Sequence, residues 1–355
     1  MMNNFWDKIK NNNKIEQELK NLVDKFNSSE SSKLVSKYWE VLNIKNLNQI
    51  ANLGGIENYS NTVARNYYYF DGINEENIYR TLQNVEKKRL GSNVQIFKKH
   101  PFLKYVGSLF CNSILLLLYE NLKLTKSFSY LEKLKDDAYL GFNDPYLEIE
   151  NVKVTHDKVN SLLDYDKISK SIKFEKINNI VEIGAGSGRT SEVILTLNKN
   201  INYIICDIPP AIYISYKRLK KAFPKKKINL IVDTEDQNEI KNEIENNDIS
   251  FIFPHQLNFM ENLKIDLTLA IDCIHEMDNK VIKYYFDKIG KISNFFYFSV
   301  WKKTTVPFSE NLQGSKQELS FDNNDYNIPD NWENIFKEDH IFPCNMICSC
   351  YKVKE

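Results

Sequence analysis

The fold of this chain is decided by residues 182–190, which read EIGAGSGRT. A short apolar run over 178–183 comes before the glycines, and a segment with helical periodicity over 189–197 comes after them. Glycines at such a junction let the chain turn tightly and let a ligand approach the backbone where a Cβ would otherwise stand. The helix that follows would present free N–H groups and a positive dipole end, which suit a carboxylate or a phosphate. The stretch therefore predicts a strand, a ligand-binding loop and a helix.

Details of this loop argue against two common glycine motifs. A phosphate-binding P-loop has Lys-Ser/Thr after its last glycine, whereas Arg189 and Thr190 follow Gly188 here. The dinucleotide fingerprint is G-x-G-x-x-G, and Arg189 stands where its third glycine would be. The pattern that remains is E-x-G-x-G-x-G.

An acidic residue follows the loop at an informative distance. Asp207 lies nineteen residues beyond Gly188, at the end of the predicted strand 203–207. An acid at this place can accept hydrogen bonds from both ribose hydroxyls of a nucleoside in the crevice. The alternative is that Asp207 only caps the helix after Pro209 and Pro210. Together, in this order, the loop and the acid favour a nucleoside-binding crevice.

The rest of the C-terminal half alternates short apolar strands with helices. Such alternation predicts an α/β fold with a mostly parallel, Rossmann-like sheet that helices cover on both faces. The segment from Trp332 predicts a helix, a strand, a turn at Pro343 and a last strand over 345–353, which would close the sheet edge as an antiparallel hairpin. The other predicted strands are 178–183, 201–206, 249–253, 267–271 and 295–300, and the predicted helices are 157–172, 189–197, 211–222 and 279–289.

The N-terminal part has a different texture. Apolar residues between Ile15 and Phe26, and again between Leu103 and Leu117, recur at spacings of three and four, which indicates helices. We therefore expect two regions. Residues 1–150 would be mainly helical and serve as an acceptor lid or a dimerisation region, and residues 151–355 would form the nucleoside-binding domain.

Composition narrows the class of protein. The 355 residues contain 47 Lys and Arg and 47 Asp and Glu, so the formal net charge of zero argues against a nucleic-acid partner. The basic block 217–227 is interpreted as a solvated helix face, because the acidic block 233–248 follows it. The longest apolar stretch, 105–119, is too short for a membrane span, and no secretory signal is apparent. Six scattered cysteines predict a reduced, cytoplasmic protein.

The glycine pattern resembles motif I of the class I S-adenosylmethionine-dependent methyltransferases, whose loop wraps the methionine part of that cofactor. Further segments resemble a bacterial family of sugar O-methyltransferases, which implies a sugar hydroxyl of a surface-glycan precursor or polysaccharide as acceptor. These segments are 207–210 (DIPP), 253–256 (FPHQ) and 271–277 (IDCIHEM), with weaker likeness at 67–71, 141–145 and 157–161.

The resemblance implies roles for individual residues. The methionine end of the cofactor would lie against Glu182, Gly184, Ala185, Gly186 and Gly188. Ribose would lie against Asp207 and Ile208, adenine near Pro254, His255 and Gln256, and the amino group or the acceptor near Asp272.

The segment after the fourth predicted strand, 267–271, contains the candidate base that would remove the acceptor proton. His275 is the candidate general base, because a neutral imidazole at the carboxyl edge of the sheet can accept a proton. Glu276, Asp272 or Asp278 would orient its second nitrogen. The alternatives are a structural histidine and, less favoured, a divalent-metal site of Asp272, His275 and Asp278. We assign no metal ligands; Cys344, Cys348 and Cys350 lack zinc-knuckle spacing and predict core packing.

Other functions stay open at this stage. The chain could methylate another small molecule or a nucleic acid, or be a catalytically silent interaction protein with a cofactor fold. A homodimer is also open. The aromatic residues of the N-terminal region would cover either the acceptor site or a core: Tyr38, Trp39, Tyr67, Tyr68, Tyr69 and Phe70.

Overall fold

The computed structural model describes residues 13, 15–52, 55–56, 101–134, 146–307, 316–340 and 346–354. Its eight main helices are α1 (Gln17–Ser28), α2 (Lys37–Asn52), α3 (Pro101–Lys123), α4 (His156–Ser171), α5 (Arg189–Leu197), α6 (Ala211–Ala222), α7 (Gln237–Asn246) and α8 (Asn279–Ile292). Short 3₁₀ helices cover Glu30–Leu34, Lys126–Lys133, Phe174–Lys176, Pro254–Phe259 and Ile274–Glu276. No helix within these described ranges combines the length and apolarity that a bilayer crossing requires.

The strands form one large sheet and two hairpins. The hairpins pair β1 (Tyr146–Ile149) with β2 (Val152–Thr155), and β9 (Lys303–Pro307) with β10 (Lys316–Ser320). The large sheet consists of β3 (Asn179–Ile183), β4 (Asn202–Cys206), β5 (Ile228–Leu230), β6 (Ile249–Ile252), β7 (Ile265–Ile271), β8 (Ser293–Trp301), β11 (Glu333–Asp339) and β12 (Met346–Lys352).

The order across the large sheet is β5-β6-β4-β3-β7-β8-β12-β11. The first six strands in this order are parallel, while β12 is antiparallel to β8 and β11 is antiparallel to β12. This arrangement confirms the predicted mostly parallel, Rossmann-like α/β sheet with a closing antiparallel hairpin. The order reverses direction between β3 and β7, so the crevice where such sheets bind ligands lies at the carboxyl ends of these strands.

Helices cover both faces of the sheet because alternate strand residues point to opposite sides. Ile180 packs into the core on one face, and its neighbour Val181 packs into the core on the other. The first core receives apolar residues of α5 and α6, and the second receives those of α7 and α8. A third cluster joins α3, α4 and the β1–β2 hairpin.

The N-terminal helix α1 belongs to the first of these cores. Its apolar residues pack with those of the sheet, and the Phe26 ring meets the Phe253 ring edge-on with 5.2 Å between centroids. The Tyr213 hydroxyl of α6 lies 2.7 Å from Glu16 Oε2 and 2.8 Å from Glu18 Oε2 at the start of α1, and it shares its one proton with these two carboxyl groups. Part of residues 1–150 therefore packs into the core of the sheet.

Several local elements differ from the sequence prediction. The helix predicted after Trp332 is wrong, because residues 333–339 form strand β11, whose pairing with β12 outweighs a weak local preference. The edge strand β5 and the β1–β2 hairpin were not predicted. That hairpin turns at Glu150 and Asn151, both with positive φ, as a two-residue loop requires. The predicted boundary near residue 150 thus falls inside a hairpin.

Candidate active site

The glycine loop begins directly after β3 and has three residues in the left-handed region. Gly184, Gly186 and Gly188 have φ of 66°, 59° and 78°, a conformation in which a side chain is strained. The Gly184 N–H donates to the carbonyl oxygen of Cys206 at 2.9 Å, which ties the loop to the end of β4. The positive φ values explain the need for glycine at all three positions.

The three glycines differ in what an added Cβ would contact. A Cβ on Gly184 would lie 2.7 Å from Cys273 Cβ and 2.9 Å from Cys273 Sγ, so this position is closed by the fold itself. A Cβ on Gly188 would lie 3.1 Å from Ser215 Cβ. A Cβ on Gly186 would meet no atom of the described residues within 4 Å. Gly186 therefore faces open space and is the part of the loop that a ligand can approach.

Asp207 lies against this open part of the loop. Its Oδ2 accepts a hydrogen bond from the Gly186 N–H at 2.8 Å, and its Oδ1 accepts one from the Ile208 N–H at 2.7 Å. Burial raises the pKa of Asp207 to about 7, against the lowering effect of these two N–H groups. The acid and the loop are brought together as the sequence predicts.

Glu182 is the second buried carboxyl of the loop region. It is 2 % exposed, and Tyr203 of β4 donates its hydroxyl proton to Glu182 Oε2 at 2.8 Å. Burial raises the pKa of Glu182 to about 7, while that hydrogen bond and the charge of Arg189 lower it. Two carboxyls that titrate near neutrality therefore flank the loop, an arrangement typical of functional sites.

A buried cation on α6, which was not predicted from the sequence, binds the glycine loop. Arg218 of α6 is 1 % exposed, so the prediction that residues 217–227 form a solvated face is wrong for it. Its Nη1 donates to Ser187 Oγ at 3.0 Å, and its guanidinium pairs with Asp157 Oδ2 at 3.0 Å and Glu192 Oε2 at 2.6 Å. Arg218 thereby connects α4, α5, α6 and the glycine loop. The sequence did not distinguish it from the exposed basic residues because it directly follows Lys217 in the basic block.

The end of β7 carries the predicted catalytic residues. Asp272 has φ of 59°, which strains a residue with a side chain, and its N–H donates to Ser299 O at 3.0 Å. Half of the Asp272 side chain is exposed, and its Oδ1 lies 3.6 Å from Nε2 of the buried His275. That distance is too long for a hydrogen bond. The structure therefore brings Asp272 and His275 together, with Asp272 the more accessible of the two.

His275 sits in an apolar environment. No described residue offers a hydrogen-bond partner to its Nδ1, and its ring meets that of Trp301 edge-on with 6.1 Å between centroids. Burial lowers the pKa of His275 to about 3, so the imidazole is neutral across the physiological range. A neutral ring can accept a proton, and an ionised Asp272, whose Oδ1 lies 3.6 Å from Nε2, would stabilise the resulting cation. Burial raises the pKa of Asp272.

The neighbours of His275 take structural positions. The carbonyl oxygen of Glu276 accepts a hydrogen bond from Ser36 Oγ at 3.0 Å, which brings the N-terminal region to the end of β7. Asp278 caps α8 by accepting from the Val281 N–H at 3.0 Å. Among the described residues, the ligand atoms of Asp272, His275 and Asp278 are not grouped within 4.8 Å of one another.

Two of the residues predicted near adenine are held by the protein itself. Gln256 is fully buried; its Oε1 accepts from the Phe253 N–H, and its Nε2 donates to the carbonyl oxygens of Ile231 and Thr234. His255 is 4 % exposed, and its Nδ1 lies 2.7 Å from Ser31 Oγ. Both side chains stabilise the end of β6, and contact with a ligand stays a prediction for them.

The remaining sequence predictions concern the cysteines and the aromatic residues. The described cysteines that remain free and buried are Cys206, Cys273, Cys348 and Cys350, as expected for reduced thiols. Tyr38 and Trp39 lie at the start of α2, with 6.1 Å between ring centroids. Residues 67–71, 141–145 and Cys344 lie outside the described part of the chain.

Comparison with known proteins gives structural neighbours only. No protein-family model matches the chain, and no curated protein matches it. Among solved structures it is similar to the pyocyanin biosynthetic protein PhzM, with 11% identity over 55% of this chain and 56% of that chain and a TM-score of 0.34. It is also similar to the glycopeptide N-methyltransferase MtfA complexed with sinefungin, with 8% identity over 55% of this chain and 87% of that chain and a TM-score of 0.35. The third is PigF with SAH, with 13% identity over 53% of this chain and 60% of that chain and a TM-score of 0.33.

Proposed function

We propose that this chain is an S-adenosylmethionine-dependent O-methyltransferase that acts on a sugar hydroxyl of a surface-glycan precursor or a polysaccharide. One observation carries the proposal. The buried Asp207 carboxylate contacts the open glycine of the loop at the sheet edge where the strand order reverses. Open α/β sheets bind nucleoside-containing ligands at this edge.

The sheet order favours a methyl donor over a dinucleotide. The dinucleotide-binding fold continues with parallel strands, whereas here the antiparallel β12 is inserted between β8 and β11. The loop pattern points the same way, since Arg189 replaces the third glycine of the dinucleotide fingerprint. S-adenosylmethionine would supply a methyl group that is already activated on a sulfonium sulfur.

The residues around the loop fit such a ligand. Each oxygen of Asp207 already accepts one backbone N–H and retains a lone pair, which can accept a ribose hydroxyl. The open space at Gly186 leaves room for the ligand beside the backbone. Glu182, together with the half-exposed Asp272, adds negative charge for a cationic amino group. The loop, Asp207 and Glu182 would thus hold the cofactor, with Ala185 and Ile208 as backbone neighbours.

The acceptor would be activated at the end of β7. In this proposal the acceptor hydroxyl would lie against Asp272, and its proton would pass to the His275–Asp272 pair. The acceptor oxygen would gain the methyl group as the methyl–sulfur bond breaks, with S-adenosylhomocysteine as the leaving group. The carboxylate of Asp272 then stabilises the imidazolium of His275, which burial alone would make unfavourable. Glu276 supports the segment through its backbone contact with Ser36.

The acceptor class rests on the sequence resemblance and on charge. A formal net charge of zero disfavours a nucleic-acid substrate, and Asp-Cys-Ile-His at 272–275 stands in place of an amine-methylating motif. A catalytically silent interaction protein is disfavoured because the open loop and both buried carboxyls are intact. A dimer and a cytoplasmic location are further parts of the proposal.

Calorimetric titration tests the cofactor assignment. We expect S-adenosylhomocysteine to bind at one site per chain, with at least tenfold lower affinity in Asp207→Asn, and NAD⁺ not to bind. Binding of NAD⁺ in preference to S-adenosylhomocysteine would refute the assignment. Methyl transfer from labelled S-adenosylmethionine to nucleotide-sugars, with RNA as the competing acceptor, then tests the substrate class.

A further inference from the structure

A second cluster of reactive side chains lies next to the candidate active site and plays no part in the proposed methyl transfer. It consists of Asp164 of α4, His340 after β11, and Cys348 of β12. One ligand atom of each residue lies within 4.8 Å of the other two, and all three residues are buried. We propose that Asp164, His340 and Cys348 bind a divalent transition-metal ion, with zinc the best match.

The three donors are those that zinc prefers. Zinc binds carboxylate oxygen, imidazole nitrogen and thiolate sulfur at about 2.0–2.3 Å, most often with four ligands in a tetrahedron. The ligand atoms of the three residues lie within 4.8 Å of one another, whereas those of a tetrahedral zinc site lie closer together. Small side-chain movements would bring all three atoms within bonding distance of one ion. A thiolate beside an imidazole disfavours magnesium and calcium, which take oxygen ligands.

Neighbouring groups orient two of the three donors. Tyr297 donates its hydroxyl proton to Asp164 Oδ1 at 2.6 Å, which leaves Oδ2 for a metal. Lys167 Nζ donates to Cys348 Sγ at 3.0 Å, which fixes the position of that sulfur. Such contacts from the surroundings fix the ligands of metal sites and tune them.

The cluster is close to the end of β7. Cys348 pairs with Ser299 in the β12–β8 register, and the carbonyl oxygen of Ser299 accepts the N–H of Asp272. With three protein ligands, a tetrahedral ion keeps a fourth position for water or another small ligand. This inference does not rest on the proposed methyl transfer, because metal binding is measured without cofactor or acceptor.

Cobalt titration of metal-free protein tests the site. We expect one Co²⁺ per chain, with the absorption bands of a tetrahedral ion and a thiolate-to-cobalt charge-transfer band in the near ultraviolet. Cys348→Ser should lose the charge-transfer band, and His340→Gln should weaken binding at least tenfold. Cys350→Ser is the matched control, because Cys350 is a buried thiol on the same strand outside the cluster.

Thermal unfolding with one equivalent of zinc gives a second measurement. The ion should raise the melting temperature of the wild type and of Cys350→Ser, and leave that of Cys348→Ser unchanged, provided that each variant shows wild-type circular dichroism. Absence of the charge-transfer band in the wild type, or an equal band in Cys348→Ser, would overturn the site. Should His340→Gln fail to fold, Asp164→Asn takes its place.

Discussion

Two alanine substitutions in the glycine loop should separate folding from ligand binding. Gly184 and Gly186 both have positive φ, so either substitution strains the backbone by about 1–2 kcal/mol. They differ in what the new Cβ meets. At Gly184 it would lie 2.7 Å from Cys273 Cβ, whereas at Gly186 it would meet no described atom within 4 Å.

The expected magnitudes follow from this difference. Overpacking a closed core position costs about 1–3 kcal/mol more, so Gly184→Ala should lower the free energy of unfolding by that amount beyond Gly186→Ala. Ligand affinity should change in the opposite order, with the larger loss in Gly186→Ala, although that variant loses less folding stability. The Cβ of Gly186→Ala would occupy the space that a ligand needs and disturb the N–H that Asp207 accepts, so affinity should fall at least tenfold.

Urea denaturation and calorimetric titration with S-adenosylhomocysteine measure the two effects. The double variant Gly184→Ala with Cys273→Gly should recover part of the lost stability, because it removes both atoms that the new Cβ meets. The reasoning is refuted if Gly184→Ala is as stable as Gly186→Ala, or if Gly186→Ala binds the ligand with wild-type affinity.

Three further predictions concern buried charges. Arg218→Met should lower the free energy of unfolding by about 3–5 kcal/mol in urea denaturation, because it leaves two buried carboxylates without their cation. The Lys217 side chain is more exposed, so Lys217→Met should change the free energy of unfolding by less than about 1 kcal/mol. Binding of S-adenosylhomocysteine should release protons at pH 6, because the ligand favours the ionised form of Asp207, whose pKa is about 7 without it. The affinity for the ligand should therefore rise with pH up to about 7. Calorimetry in buffers of different ionisation enthalpy should show less proton release in Asp207→Asn. His275→Ala should lower turnover and leave the dissociation constant of the cofactor unchanged. At saturating cofactor, wild-type turnover should show no titration of His275 near pH 6.5, because burial holds its pKa at about 3. Wild-type turnover in His275→Ala would remove His275 from the mechanism.

The centre of the fold could be predicted from the sequence because its signals are local. The strand, glycine turn and helix around residues 179–197 each depend on a few adjacent residues, and the structure has all three. The segment from Trp332 was predicted to begin with a helix before its strand, whereas residues 333–339 form a strand throughout, which its pairing with β12 stabilises. The edge strands β5 and β11 have no fully buried residue, so their hydrophobic pattern is weak.

The candidate site was predictable in the same uneven way. Asp207 reaches the glycine loop because carboxyl ends of neighbouring parallel strands meet at one edge, which topology dictates. Arg218, by contrast, looks like its surface neighbours in the sequence and is recognised only from its buried partners. The grouping of Asp164 with Cys348 likewise arises from tertiary packing, to which the spacing of these residues gives no clue.

The hydroxyl of Ser31 has a consequence for how the molecule can be divided. It accepts the N–H of His255 and contacts the ring nitrogen of the same residue, while Ser36 reaches the backbone of Glu276. A truncation that begins after residue 36 would uncover polar groups at the ends of two central strands. A chimaera that replaces the N-terminal helical region must therefore keep residues 15–36 with the central sheet.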